Sequence, residues 1–362
     1  MAYTTINDPS EHFQVKKYTA SGGSSHAIVC DGNSDMGTDW FWTKKISGGG
    51  DWMGSDSNRG VATVNYWGGS RGISSGSAGD YMTSFDSDGV TTGSSGLAND
   101  NGDEFVSYHW HCNDGTTTSN SDGNVTANVQ VNSDIGFSII GPFTSVASGD
   151  TNVGHGLGVK PDLFFVRSGS SGSGFFNNLG SYVYGINYYM YMDFSEAIGG
   201  LAPFHADTDT IDIRTNDFLG NSQSGCMAYA FVEKPGFSRF GSFKGTGNVN
   251  GPFVYTGFKP AMIVLKSVNS GQSVATYDHK RPGFNDSFPF LRHNDNGGED
   301  ASAISGDDVE FYANGFKVIS NDGTLNQYNV NFVFMAFASL PFVGSGGACA
   351  PAGIPGYVGH GT

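Results

Sequence analysis

Charge is scarce in this chain. Only 14% of its 362 residues are charged, and 18 Lys plus Arg stand against 34 Asp plus Glu, a net charge of −16. Bases so few and so scattered do not neutralise a phosphate backbone, so nucleic acid is not an expected partner. Long apolar runs are missing as well. They stop at about ten residues, half of what a membrane-spanning helix needs, so no membrane insertion is expected. Cysteine is sparse: Cys30, Cys112, Cys226 and Cys349 lie far apart with no CxxC pair. That spacing argues against a disulfide framework or a zinc site and for reduced, partly buried thiols. The opening MAYTTINDPSEHF has no basic region followed by an apolar one, so no secretion signal is expected. A helical period is also hard to find. The segment after Met192, DFSEAIGGLA, is the one place that invites a short helix or turn.

Glycine and aromatic residues are what the chain has in quantity. Gly occurs 55 times and aromatics make up 14%, which gives a non-disordered chain ample surface to bury. Gly, Ser, Thr, Asn and Asp crowd the spaces between short runs rich in Val, Ile, Phe, Tyr and Trp, the pattern of strands separated by turns. The chain also repeats itself. GFSIIGPF…VGHGLGVKPDLFFVRS from Gly136 to Ser168 recurs as GFSRFGSF…VYTGFKPAMIVLKS from Gly236 to Ser267, and a worn copy, HFQVKKYTASGG…WFWTKK, runs from His12 to Lys45. Each copy ends in a base: Lys44, Arg167 and Lys266. A second marker closes each unit: FVSYHWH from Phe105, CMAYAFV from Cys226 and FVFMAFA from Phe332. Both markers step together, so the unit is about a hundred residues long. Side chains alternate faces along a strand. In the closing marker one face then carries Tyr108 and Trp110, Tyr229 and Phe231, Met335 and Phe337, while the other carries Ala230 and Val232, Ala336 and Ala338. A bulky face over a small one fits a strand buried between layers. The expectation is an all-β chain of three tandem sandwich-like repeats: 1–130 (the most divergent), 131–235 and 236–343. An extended Gly/Pro-rich tail occupies 344–362.

The order of these motifs resembles virion structural proteins of marine bacteriophages that infect cyanobacteria and abundant ocean bacteria, a tail-fibre-like family. The resemblance rests on MAYTTIN, SFDSDG (Ser84 to Gly89), FVSYHW with SNSDGNV (Ser119 to Val125), GFSII, VGHGLGVKPDLFFV, AYAF with GFSRFGSF, GFKPAMIVLK, NGFKV from Asn314 and FMAFASLPF from Phe334. It covers nearly all of the chain except the last 19 residues. Where the family's second repeat carries a Trp-centred strand after the base, this chain has GSGFFNNLGSYVYG. The resemblance implies a particle component and supplies no catalytic residues.

Several residues invite a chemical role. Lys44 is followed twelve residues on by Asp56 and then Arg59, and Lys266 by Asp278 and Arg281, while Leu179 holds the equivalent place after Arg167. The structural reading is an Asp–Arg bridge that pins a loop; the alternative is a duplicated pocket for an anionic or sugar ligand. His109 and His111 share a strand face but lack a third ligand, so no metal site is expected. His155 sits in the glycine-dense VGHGLG, where Gly supplies positive φ; a strand comes after it, and a phosphate cradle needs a helix there. The acidic turns (DSDG ending at Gly89, SDG at Gly123, NDG at Gly323, NDNGGED from Asn294) have oxygens suited to calcium but lack the full loop spacing, and read as ordinary turns. No nucleophile elbow or HExxH is present. No catalytic residue and no cofactor are therefore expected.

The tail from Gly344 has seven glycines and no charged side chain. It is expected to dock on a neighbouring subunit through Ile354, Tyr357 and Val358. The chain is thus expected to be a non-enzymatic virion protein, exposed on the particle as a homo-oligomer beside other virion proteins. Assembly in the host cytoplasm and release by lysis need no signal peptide. Host attachment would rest on surface glycans. The alternatives are a capsid decoration or shell protein without a receptor role and, from another class, a surface-glycan depolymerase.

Overall fold

The computed structural model describes residues 4–341 apart from 32–34, 69–71, 78, 171–173, 201–202, 270, 282–288 and 300–306. The fold is nearly all β, in several antiparallel sheets. Four short helical turns, Pro9–Glu11, Ser181–Tyr184, Thr215–Phe218 and Gly323–Asn326, complete the described elements. Residues 193–200 after Met192 form no helix, and Gly199–Gly200 pairs with Tyr188–Tyr191 instead.

Three large sheets share one strand order. In each, an opening strand pairs with the closing-marker strand, which pairs with the strand bearing the terminal base, which pairs with the next strand in the chain. In the first sheet these are Phe13–Thr19, Glu104–Trp110, Trp40–Lys45 and Trp52–Asp56. In the second they are Phe137–Phe143, Cys226–Phe231, Leu163–Arg167 and Phe175–Asn177. In the third they are Ser238–Lys244, Asn331–Pro341, Phe258–Ser267 and Val274–Asp278. The registers correspond too. Val15, Tyr108 and Trp42 lie side by side, as do Ile139, Tyr229 and Phe165, and Phe240, Met335 and Val264. Each large sheet is accompanied by a three-stranded one. These small sheets also share an order, with the last strand in the chain lying between the other two: His26–Val29, Gly89–Thr92, Met82–Asp86; Asp150–Gly154, Thr210–Arg214, Phe204–Ala206; Phe253–Tyr255, Gly315–Ser320, Asp307–Tyr312. Strand Ala127–Asn132 crosses the expected boundary near 130 and pairs with Phe137–Phe143, so it belongs to the second sheet.

The alternation of the closing strands decides how the layers stack. Their small faces turn to the small sheets. Ala228 and Ala230 join Ile211, Ile213 and Phe204 in one cluster, and Ala336 and Ala338 join Val309, Phe316 and Val318 in another. In the first sheet this face carries Ser107 and His109, and His109 lies 5.1 Å from the Phe41 ring. The bulky faces all turn the other way and meet. Tyr108, Trp110, Tyr229, Phe231, Met335 and Phe337 belong to a single buried cluster with Trp40, Trp42, Phe137, Phe165 and Met262. Trp40 stacks on Tyr229 at 4.4 Å, and Phe337 meets both Trp110 (5.5 Å) and Phe231 (5.4 Å). Each such ring contributes about 2–3 kcal/mol by burial, and edge-to-face or offset pairing adds to that. Gly54 is one position where only glycine serves. It pairs with Trp42, and a Cβ there would lie 2.8 Å from the Trp67 ring.

An aromatic-lined unit with one bulky face needs a neighbour to cover it. The neighbours that cover it are the other two large sheets of the same chain, around one common core.

Candidate functional site

The Asp–Arg pairs and terminal bases singled out in the sequence sit where the units meet. Asp56 ends the strand after the first base, and the turn beyond it brings Arg59 back onto it. Arg59 Nε donates to Asp56 Oδ2 at 2.7 Å, and the Arg59 backbone N–H donates to Asp56 Oδ1 at 3.0 Å. Tyr229 of the second unit reaches across and donates its hydroxyl to Asp56 Oδ2 at 2.8 Å, and Arg59 Nη2 donates to the same hydroxyl at 3.2 Å. The third unit repeats the construction. Arg281 Nε donates to Asp278 Oδ2 at 2.6 Å, and Tyr108 of the first unit donates to that oxygen at 2.8 Å. Both carboxylates and both tyrosines are buried. Burial pushes the Asp278 carboxyl up, but the Arg281 charge and its hydrogen bonds outweigh this and hold it below the ordinary carboxylate range. Burial raises the Tyr108 phenol, and the adjacent Asp278 charge raises it further.

At the third meeting place the partners are apolar. Leu179 replaces the Asp and Met335 replaces the Tyr, and both lie in the shared core. The helical turn just beyond Leu179 packs against strands Ser238–Lys244 and Asn331–Pro341 of the third unit. The direction is the same each time. The closing strand of the second unit reaches the first, that of the first reaches the third, and that of the third meets the second.

The terminal bases keep the same direction. Arg167 Nη2 of the second unit donates to the Gly72 carbonyl of the first at 3.1 Å. Lys44 Nζ of the first donates to the Asp295 carbonyl of the third at 3.3 Å, as well as to Gly50 in its own unit at 2.5 Å. Lys266 Nζ of the third donates to the Phe194 carbonyl of the second at 3.0 Å. All three side chains are buried. Burial pulls Lys44 and Lys266 down to about 8, although nearby acidic groups act the other way. The three contacts turn the chain into a closed head-to-tail ring, the geometry of a cyclic trimer achieved within one polypeptide.

The histidines are occupied. His109 Nδ1 lies 3.1 Å from Thr38 Oγ1 and Nε2 lies 2.8 Å from Ser107 Oγ, and burial lowers its imidazole to about 3. His111 lies just past the strand end, 3.5 Å from Asp39, whose carboxylate also accepts from the backbone N–H groups of Cys112, Asn113, Asp114 and Gly115. His155 is buried, with Nδ1 accepting from the Leu157 N–H at 3.1 Å, and Gly156 and Gly158 have positive φ. Among the described residues no group of three or more His, Cys, Asp or Glu is placed to hold a metal ion. Cys30, Cys112 and Cys226 are buried free thiols. The tail residues Ile354, Tyr357 and Val358 lie outside the described residues.

Sequence reasoning missed a cleft of about 290 Å³ on the middle unit. Its floor and walls come from Pro161, Asp162, Tyr182, Ile186, Asn187 and His205, with Lys160 at the rim. Much of it is built by the stretch GSGFFNNLGSYVYG and the Ile186-Asn187 pair directly after it, where this chain departs from the repeat pattern. Asn187 has φ +70° and anchors the wall: its Oδ1 accepts from the Phe204 N–H at 3.1 Å and lies 3.0 Å from His205 Nδ1. His205 Nε2 lies 3.2 Å from Asp212. One oxygen of Asp162 accepts from the Glu233 N–H at 2.8 Å. Apolar walls with a few oriented polar groups are the make-up of a small-molecule binding site.

No curated protein and no solved structure matches the chain. One family does, over residues 8–341, and its description is "Domain of unknown function (DUF7483)". Because that match takes in nearly the whole sequence, the chain belongs to this family of unknown function.

Proposed function

We propose that this chain is a non-enzymatic structural protein of a bacteriophage particle, exposed on its surface, tail-fibre-like, and contributing to host attachment. Its partners on this reading are other virion proteins, further copies of itself and surface glycans of the host. The observation that carries the reading is the closure of three like-ordered sheets around one aromatic core. A chain built this way is a stiff block with a shared aromatic interior, which leaves loops and clefts on a rigid scaffold to meet a partner. The ordered motif resemblance to phage structural proteins supports the same reading. The net charge of −16 keeps such a block soluble, and in seawater salt it is screened to within a few ångströms.

The test is localisation. An antibody raised against the purified chain should label particles of the virus whose genome carries the gene, at the tail or its fibres. Label confined to the head would turn the reading toward a decoration protein, and particles free of the chain would refute it.

A further inference from the structure

We infer that the cleft of the middle unit is a binding site for a single neutral pyranose, the terminal sugar of a surface glycan. This deepens the attachment reading and rests on it. Units one and three use the segment after the base for an Asp–Arg clasp. The middle unit has Leu179 there, buried in the shared core with Met335, and the chain beyond it, the helical turn Ser181–Tyr184 and residues 185–187, contributes to the cleft lining. The departure from the repeat and the cleft therefore coincide.

The lining has the chemistry of a sugar site. A volume of about 290 Å³ lies at the small end of ligand sites, which suits one sugar ring. Tyr182, Pro161 and Ile186 offer apolar surface for the C–H face of a pyranose; Ile186 is 63% exposed and has no packing reason to be there. Polar groups remain for hydroxyls. Asp162 has one carboxylate oxygen beyond the one that takes the Glu233 N–H, and the Asn187 amide N–H₂ is turned away from the bond that its oxygen makes. Lys160 makes no ion pair among the described residues and supplies donors at the rim. One acceptor and two donors in a single lining can serve a pair of sugar hydroxyls. Charge selects the neutral sugar. Lys160 is balanced by Asp162 within the lining, and the net charge of −16 on the whole chain works against an acidic ligand.

Saturation-transfer NMR on the full chain tests this with D-glucose, D-galactose, D-mannose, N-acetyl-D-glucosamine and, as a charged comparison, D-glucuronate. At least one neutral sugar should receive saturation and glucuronate should not. Asp162→Asn and Lys160→Met should each weaken that binding roughly tenfold, the loss of one charge-assisted hydrogen bond. Ile186→Ser, at an exposed position that does not contribute to folding, should weaken it without moving the melting temperature. Saturation of none of the four neutral sugars, a preference for glucuronate, or binding that survives all three substitutions would overturn the assignment. The attachment reading stands or falls separately: a chain found on particle tails that binds no sugar loses only the cleft, and a sugar-binding chain absent from particles loses only the virion role.

Discussion

Arg281→Ala breaks a buried clasp from one side. The guanidinium donates to Asp278, to the Thr276 carbonyl at 2.8 Å and to Glu299 at 3.3 Å, and it is buried. Removing it leaves the Asp278 carboxylate buried with Tyr108 as its remaining cross-unit partner. Breaking a buried pair from one side costs about 3–5 kcal/mol, a large share of the ~5–15 kcal/mol by which domains are stable. The protein carries its own control. At the meeting place between the third and second units the same positions are Met335, Leu179 and Tyr182. The triple replacement Tyr108→Met, Asp278→Leu, Arg281→Tyr copies that apolar solution into the polar site. It should recover most of the loss and end within about 1–2 kcal/mol of the parent, because well-packed apolar groups often replace buried ion pairs at no net cost. Guanidinium unfolding followed by tryptophan fluorescence gives both numbers. An Arg281→Ala protein as stable as the parent, or a triple variant as damaged as the single one, would refute the clasp and revive a ligand role for the pair.

Further predictions concern single side chains and pH. Tyr229→Phe should cost about 1.5–3 kcal/mol, the worth of a hydrogen bond to a charged group, measured as a shift in the denaturation midpoint; no shift would mean that Asp56 is satisfied without it. His109 has its pKa lowered to about 3 in the folded chain by burial and, secondarily, by Lys16, against about 6.5 when unfolded. The unfolded state then binds the extra proton, so the stability that this group contributes is complete above pH 6.5 and drains away as pH falls toward 3. By pH 4.5 about 3 kcal/mol should be gone, and His109→Gln should flatten that slope in melts taken across the window. Lys44 shows the mirror case, with a folded value of about 8 below the ~10.4 of an unfolded chain. Its burial cost is complete below pH 8 and is relieved as pH rises toward 10, so stability should climb over that window in the parent and climb less in Lys44→Met.

Much of the fold is legible in the sequence because strand periodicity is local. The alternation of Tyr229 and Phe231 against Ala228 and Ala230 reports two buried faces without any knowledge of the partners. The recurrence of Lys44, Arg167 and Lys266 marks equivalent strands. What covers each face is a long-range fact, and the sequence states it only indirectly. Tyr is present in the first and second closing strands and Met in the third; the Asp–Arg pair is present in the first and third units and Leu179 in the second. Pairing within a unit would strand a tyrosine in the second and a carboxylate in the third. Only one cyclic shift gives every Tyr an Asp and leaves Met335 for Leu179, and that is the shift the structure adopts. Spacing alone does not reveal this signal; it takes the matching of residue types between units. The cleft is harder to find, because it is made by a departure from the repeat, and a departure has no periodicity to read.

Three units that share one core should stand or fall together. Native-state hydrogen exchange at increasing denaturant measures this on the closing strands Glu104–Trp110, Cys226–Phe231 and Asn331–Pro341. All three should open at one free energy, in a single cooperative step. A closing strand that exchanges well before the other two, while those keep full protection, would mean that the units have separate cores.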